Sequence, residues 1–341
     1  DLRRSVSRAR YWATNLPLAG EILARRFITA SPSQVANWRA RGHEFALHPQ
    51  VGQDGNCAGY IARGMQLATP SLEAGWRRYW EEFTGLGYGP VPPTVRTHCV
   101  LWTGWVETAR LQASHGMRMN LDYYHVGPAF RTETGEWVDG HFTGSGLPMK
   151  FVDEQGRILN IYQQLTQLTD EHLLNLHWGG QVKLDAETAV EVSKTLLRSS
   201  LAGENCAIAA NFHVDPFAFG AQPAAEAARW LEGTLDYAIA RGVPIWSAQE
   251  WLYFTEVRHD ANLVEVQWNP AAKRVSFRVS AEPAAEAELT VMVPMRHGDA
   301  KLAQLEVDGL SIEHHERKVG GVSYGWVALG ADWHHVAAIY D

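Results

Sequence analysis

Residues 41–50, RGHEFALHPQ, place two histidines and a glutamate around one short apolar run. The strand-like stretch 44–47 stops on His48, immediately before Pro49. A buried strand gains nothing from an imidazole at its end, whereas a metal site or an acid–base catalyst does. We therefore predict that His48 is a functional residue at the end of a strand. His43, in the same stretch, is predicted to be a surface or structural histidine.

The composition limits the classes of protein to which the chain can belong. A chain of 341 residues with 46% hydrophobic and 20% charged residues is typical of a globular protein with one large domain and one small domain, or two domains. The formal charge of −8 argues against a nucleic-acid binder. The sequence contains no run of about 18 apolar residues, so it predicts no membrane span. The three cysteines lie far apart and predict neither a zinc finger nor a disulfide scaffold.

Helices and short strands alternate over roughly the first 257 residues. Ser31 before Pro32, and Asp185, are typical helix caps, and glycines end several helices. This alternation favours a parallel sheet or a β/α barrel. The predicted helices cover about 31–42, 71–85, 104–114, 185–201, 223–242 and 248–254, and the predicted strands end near 48, 98, 122, 213 and 247.

Two regions depart from this alternation. The segment 125–180 is rich in Gly, Thr, Asp and Gln, and we interpret it as an insertion that lines or covers the site. After residue 258 short strands recur at the spacing of a β-sandwich, with Asn269-Pro270 and Asp308-Gly309 as turn signals. The predicted domains are therefore 1–258, a β/α barrel, and 259–341, a small all-β sandwich-like domain.

Chemically capable side chains end the predicted strands of the first domain. In a β/α barrel the carboxyl ends of the strands surround one common mouth, where catalytic groups lie. The residues predicted to meet there are His48, Arg96, His98, Asp122 and His213.

These strand ends resemble the motifs of the polysaccharide deacetylases, the NodB-homology carbohydrate esterases. RARGHEFALHP (39–49) resembles their second motif, GHEIGxH. In the family's order, PPTVRTH (92–98), NLDYY (120–124) and IAANFH (208–213) resemble the third, fourth and fifth motifs. The closing stretch 230–252 is also similar, so the resemblance spans about residues 1–257. It implies a distorted (β/α) barrel of the NodB type and removal of acetyl groups from a polysaccharide or amino sugar.

The chain departs from the family's motifs at two points. The family's second metal-binding histidine falls on Gly52, and His98 is a substitute from the next strand end. RTHCVLWTGW (96–105) resembles a divergent subgroup of deacetylase-like proteins. The first motif, a pair of aspartates, is missing, and Asp1 lies where that pair is expected, so we expect the chain to begin inside that motif.

The resemblance implies metal-assisted hydrolysis. A divalent metal, taken as Zn²⁺, is expected on His48, His98 and an aspartate, where it lowers the pKa of water and polarises the acetyl carbonyl. Asp1 is the expected base, held by Arg96. His213, oriented by Asp122, is expected to protonate the leaving group.

Trp102, Trp105 and Tyr123 are candidate sugar-binding residues, because aromatic faces stack on sugars; burial of the tryptophans is the structural alternative. The resemblance suggests a secreted or cell-envelope protein, and the sequence leaves the oligomeric state open.

Two other functions remain open. The first is a carbohydrate-binding relative that has lost its metal. The second is a glycoside hydrolase, which needs a pair of carboxylates about 5–10 Å apart.

Overall fold

The computed structural model describes residues 30–49, 69–98, 102, 104–123, 129–131, 134, 137–139, 146–174, 183–204, 206–213, 221–282 and 284–341. The chain divides into two compact units, Asp1–Gln249 and Glu250–Asp341. The sequence had placed the boundary at 258/259, a position that lies inside the helix Ala248–Asp260.

The helices begin where the sequence provides caps. The Ser31 hydroxyl accepts from the Gln34 N–H, and the Gln34 side chain accepts from the Ser31 N–H, so the predicted cap is a complete capping box. Asp185 likewise accepts from the Thr188 N–H, which confirms the second predicted cap. The helices are α1 Pro32–Ala40, α2 Thr69–Gly85, α3 Glu107–Ser114, α4 Asp170–Leu173, α5 Ala186–Ser199, α6 Ala221–Ala240 and α7 Ala248–Asp260, and a π-helical turn, Ser200–Glu204, follows α5.

The strands of the first unit are short. They are β1 Thr94–Val95, β2 Met119–Asn120, β3 Ala129–Arg131, β4 Trp137–Asp139, β5 Met149–Val152, β6 Ile158–Gln163, β7 Thr166–Thr169 and β8 Ala209–Asn211. One sheet has the order β1-β2-β6-β5, in which β1, β2 and β6 are parallel and β5 is antiparallel. Strands β7 and β8 form a separate parallel pair, and β3 and β4 an antiparallel pair.

The predicted (β/α) barrel is therefore wrong. The described strands of this unit form an open, curled half-barrel sheet and not a closed ring. Of the five strand pairs in the described part of this unit, two, β5–β6 and β3–β4, are antiparallel. Alternating helices and strands predict parallel pairing, but closure depends on hydrogen bonds between distant strands that periodicity does not encode. Residues 243–247, predicted as a strand, have irregular backbone. Part of the segment interpreted as an insertion belongs to the sheet, because β6 pairs with β2.

Two apolar clusters are present among the described residues of the first unit. One lies between α2, α3 and the sheet, and the other lies between α5, α6 and β7. Trp76 and Trp230 are completely buried, one in each cluster. Burial of side chains of this size contributes about 1.5–3 kcal/mol each.

The second unit has two antiparallel sheets that share one apolar core. Its strands are β9 Asn262–Asn269, β10 Arg274–Ser280, β11 Ala284–Pro294, β12 Arg296–His297, β13 Ala300–Val307, β14 Leu310–Ile312, β15 His315–Val319, β16 Val322–Ala331 and β17 His334–Tyr340. One sheet has the order β12-β13-β17-β10-β9, with β14 beside β13, and the other has the order β11-β16-β15. Both contribute side chains to the same cluster. Asp308 and Gly309 have φ of 50° and 82°, and they form the predicted turn between β13 and β14.

Candidate active site

Backbone pairing brings the predicted strand ends together. Leu47 forms a parallel bridge with Val95, and the His98 N–H donates to the Pro49 carbonyl at 2.9 Å. The Gln164 N–H donates to the Asn120 carbonyl, which extends the parallel register beyond β2 and β6. The carboxyl ends of parallel strands lie at one edge of a sheet, so the side chains that follow these strands share that edge.

His48 and His98 meet at this edge. His48 Nε2 lies 3.3 Å from His98 Nδ1, and the two rings are nearly perpendicular. Two nitrogens at about 2.0–2.1 Å from a tetrahedral Zn²⁺ are roughly 3.3–3.4 Å apart. The observed separation therefore fits two imidazoles on one such ion.

The surroundings of His48 favour its neutral form. Its ring is accessible to solvent but is surrounded by protein at longer range, and this desolvation, followed by the charge of His98, lowers its pKa to about 4. His48 Nδ1 donates to the Arg96 carbonyl at 2.9 Å. The lone pair of the neutral ring is therefore on Nε2, which faces His98.

Arg96 and Asp122 lie behind this pair and support it. The half-buried Arg96 donates from Nη2 to the Thr166 hydroxyl. Burial lowers the pKa of Arg96, whereas the charges of Asp122 and Glu171 raise it. Asp122 is completely buried, and burial raises its pKa although two N–H donors point at it.

The prediction that Asp122 orients His213 is wrong. The two Asp122 oxygens accept from the Thr97 N–H and from the Asn120 amide, at 2.7 Å for the latter. Asp122 therefore fixes the backbone between Arg96 and His98, which makes it a positioning residue for those two side chains. An aspartate after a strand has several possible partners, and its spacing in the sequence does not choose between them.

The carboxylate that holds His213 is Asp170. Its Oδ1 accepts from His213 Nδ1 at 2.8 Å, and its Oδ2 accepts from the His213 N–H at 2.7 Å. Asp170 is fully buried and follows β7, whereas His213 follows β8, and β7 and β8 pair in parallel. Adjacent strand ends thus form a His–Asp pair. The charge of His213 contributes to the lowered pKa of His48, after burial and the charges of His98 and Arg96, so the two histidines lie within electrostatic range of each other.

Sequence reasoning missed Asp170 and the neighbouring Glu171. The stretch TQLTDE (166–171) is a buried strand followed by two carboxylates, but three of its four strand residues are polar. It therefore lacks the apolar run that precedes His48 and His213 in the sequence. It lies within the segment 125–180, whose composition predicts an insertion. Glu171 Oε2 lies 3.9 Å from His213 Nε2.

The aromatic candidates have mixed surroundings. Trp102 stacks on Phe151 with ring centroids 5.2 Å apart and is half-buried. Trp105 is 68% exposed, and its indole N–H donates to the Val152 carbonyl of the sheet-edge strand β5. Tyr123 is exposed and follows the strand end of Asp122. Trp105 thus covers an open sheet edge in addition to offering an aromatic face. Asp1, the predicted base, lies outside the described residues.

The described residues supply two ligands for a metal. Within the ranges given above, no group of three or more His, Cys, Asp or Glu side chains has the arrangement of a metal site. His48 and His98 fit two positions of a zinc coordination sphere, and a catalytic zinc needs a third protein ligand besides water.

Comparison with known proteins leaves the family open. No protein-family model matches the chain, and no curated protein matches it significantly. Among the described residues, no helix is long and apolar enough to cross a membrane.

Proposed function

We propose that this chain is a metal-dependent hydrolase that removes acetyl groups from an acetylated polysaccharide or amino sugar. The observation that carries the proposal is an imidazole pair with zinc-ligand separation, His48 and His98, within electrostatic range of the half-buried His213, which the buried Asp170 holds. The first pair suits a metal and the second suits proton transfer.

Each residue has a chemical task in this proposal. His48 and His98 would hold the ion through Nε2 and Nδ1, and the Arg96 carbonyl fixes the tautomer of His48. A bound Zn²⁺ would polarise the acetyl carbonyl and lower the pKa of water. His213 donates a proton from Nε2 to the leaving group, because Asp170 occupies Nδ1 and fixes the ring.

A carbohydrate-binding protein without catalytic metal is the second candidate. The observation that favours it is the absence of a third ligand among the described side chains around His48. A glycoside hydrolase has less support. Asp170 and Glu171 are the carboxylate pair at this edge, but Asp170 is fully buried behind His213 and is not accessible to a sugar.

Metal content tests the proposal. The purified chain would be stripped with a chelator, supplied with Zn²⁺, desalted and measured by elemental analysis, together with His48→Ala, His98→Ala and the surface control His43→Ala. We expect about one zinc per chain in the unmodified protein and in the control, and a loss of most of it in the two ligand variants. Acetate release from tetra-N-acetylchitotetraose and from O-acetylated xylotetraose would be assayed on the same samples.

Three results separate the candidates. Zinc that depends on His48 and His98, together with acetate release that also depends on them, supports the hydrolase. Binding of the oligosaccharides without zinc or acetate release supports the carbohydrate-binding protein. Retention of zinc in both ligand variants contradicts the assignment of this metal site.

A further inference from the structure

Two consecutive carboxylates face the two nitrogens of His213. Asp170 Oδ1 lies 2.8 Å from Nδ1, and Glu171 Oε2 lies 3.9 Å from Nε2. One carboxylate on Nδ1 is enough to fix the ring and its tautomer. The second carboxylate lies beside the nitrogen that must face the leaving group, and orientation of the ring does not account for it.

The position of Glu171 is fixed by its neighbours. Its N–H donates to Asp170 Oδ1 at 2.8 Å, so the carboxylate that holds His213 also anchors the backbone of Glu171. The Glu171 side chain is 28% exposed, in contrast to the fully buried Asp170. Its negative charge reaches Arg96, whose pKa it raises against the effect of burial. Glu171 is thus partly accessible to a ligand, 3.9 Å from His213 Nε2 and within electrostatic range of Arg96.

We propose that Glu171 is a specificity-determining residue that makes the site select N-acetyl groups, whose leaving group is an amine, over O-acetyl groups. This inference rests on the proposed function. It assigns the substrate class, acetamido sugars, which the resemblance leaves open between amides and esters.

The chemistry of the two leaving groups gives the reason. In amide hydrolysis the oxygen of water bonds to the acetyl carbon and this water releases one proton to the solvent. The imidazolium form of His213 gives its Nε2 proton to the nitrogen, which becomes positively charged, and the neutral ring regains a proton from the solvent. The C–N bond then breaks, its electron pair stays on nitrogen, and the products are acetate and an amine that is protonated in water. A carboxylate beside Nε2 attracts this positive nitrogen. In ester hydrolysis the leaving oxygen is neutral or negative, so the same carboxylate gives no attraction.

The test compares the two substrates in one protein. The zinc-loaded full chain, Glu171→Gln, Glu171→Asp and the exposed-glutamate control Glu187→Gln would be assayed for acetate release from tetra-N-acetylchitotetraose and O-acetylated xylotetraose. We expect the unmodified chain to prefer the amide. Glu171→Gln should lower kcat/KM for the amide about tenfold and change that for the ester less than about twofold. Glu171→Asp should recover part of the loss, and Glu187→Gln should resemble the unmodified chain.

The outcomes distinguish this inference from the proposed function. An amide-to-ester ratio that falls only in Glu171→Gln supports it. An equal fall for both substrates overturns it, because Glu171 would then only position His213 for either leaving group. A preference of the unmodified chain for the ester also overturns it and leaves the hydrolase in place. Absence of acetate release from both substrates contradicts the proposed function, and the inference falls with it.

Discussion

In the part of the chain that the structure describes, each unit contains a His–Asp pair, and the two pairs have nearly identical geometry. His213 Nδ1 lies 2.8 Å from Asp170, and His334 Nδ1 lies 2.8 Å from Asp308. In both pairs the second carboxylate oxygen also accepts a backbone N–H, from His213 itself in the first pair and from His335 in the second. The local contacts therefore do not distinguish a catalytic pair from a structural pair.

Burial and the second ring nitrogen distinguish them. The Asp170 side chain is fully buried, whereas that of Asp308 is 51% exposed, at the turn between β13 and β14. His334 Nε2 donates to the Gly330 carbonyl at 3.0 Å, so both nitrogens of this ring have structural partners. His213 Nε2 lies 3.9 Å from the partly exposed carboxylate of Glu171. A histidine suits proton transfer when one nitrogen is fixed and the other faces the site.

Replacement of Asp170 and of Asp308 should have the largest difference in effect on kcat/KM of the changes considered for the two pairs. Asp170→Asn should lower kcat/KM for acetate release by about 10²–10⁴-fold, because an amide can present its N–H₂ to His213 and reverse the tautomer. Asp308→Asn, the matched control in the other unit, should leave kcat/KM unchanged. Circular dichroism would establish that both variants are folded. Similar rates for Asp170→Asn and the unmodified chain would show that the buried pair is structural too.

Replacement of Asp122 measures how much a buried carboxylate that accepts only from N–H groups contributes to stability. Asp122→Ala leaves the Thr97 N–H and an Asn120 amide N–H without their acceptor, and each buried donor without a partner costs about 1–3 kcal/mol. We expect a lower free energy of unfolding for the first unit, measured in urea, and a fall in zinc content as His98 loses its support. The exposed Asp308→Ala should cost about 1 kcal/mol or less. An equal loss of stability in both variants would contradict the role assigned to Asp122.

The exposed pair should give a small pH-dependent contribution. The hydrogen bond with Asp308 raises the pKa of His334, and the same bond lowers the pKa of Asp308. The stabilisation from His334 is complete below its unfolded pKa of about 6.5 and is lost as the pH rises through the higher folded value. The stabilisation from Asp308 is present above about 3.9 and is lost as the pH falls through the lower folded value. The pair therefore contributes most at about pH 4–6.5.

Urea unfolding measures this contribution. The difference in free energy of unfolding between the unmodified chain and His334→Ala should be larger at pH 5.5 than at pH 9, by about 0.2–1 kcal/mol. Asp308→Asn should remove most of this pH dependence. A difference that is the same at both pH values would show that the ion pair contributes no measurable stability.

The predictions of helix caps and of one turn are confirmed, because they depend on hydrogen bonds and backbone preferences of a few neighbouring residues. Ser31 and Asp185 cap helices because a short oxygen-bearing side chain satisfies an N–H three residues away, and Asp308-Gly309 forms a turn because both residues tolerate positive φ. The same reasoning placed His48 and His98 after strand-like segments, and the structure brings their rings together. These features depend on neighbours in sequence or on one strand pair.

The errors concern partners that are distant in sequence. Asp122 and Asp170 both follow strands. His213 contacts Asp170 because β8, which precedes His213, pairs with β7, which precedes Asp170. The segment 125–180 has the composition of an insertion, yet β6 hydrogen-bonds to β2. Composition reports how polar a segment is, but it does not report which backbone groups it pairs with.

The sequence by itself thus determined the helix ends, the turn chemistry and the side chains with acid, base or ligand character that follow strands. Each of these is fixed by the conformational preferences and hydrogen-bonding groups of a few adjacent residues. Only the tertiary structure decided that the sheet is an open half-barrel, that Asp170 and not Asp122 holds His213, and that Glu171 faces Nε2. Those outcomes depend on strand register over tens of residues and on which carboxylate loses its contact with water.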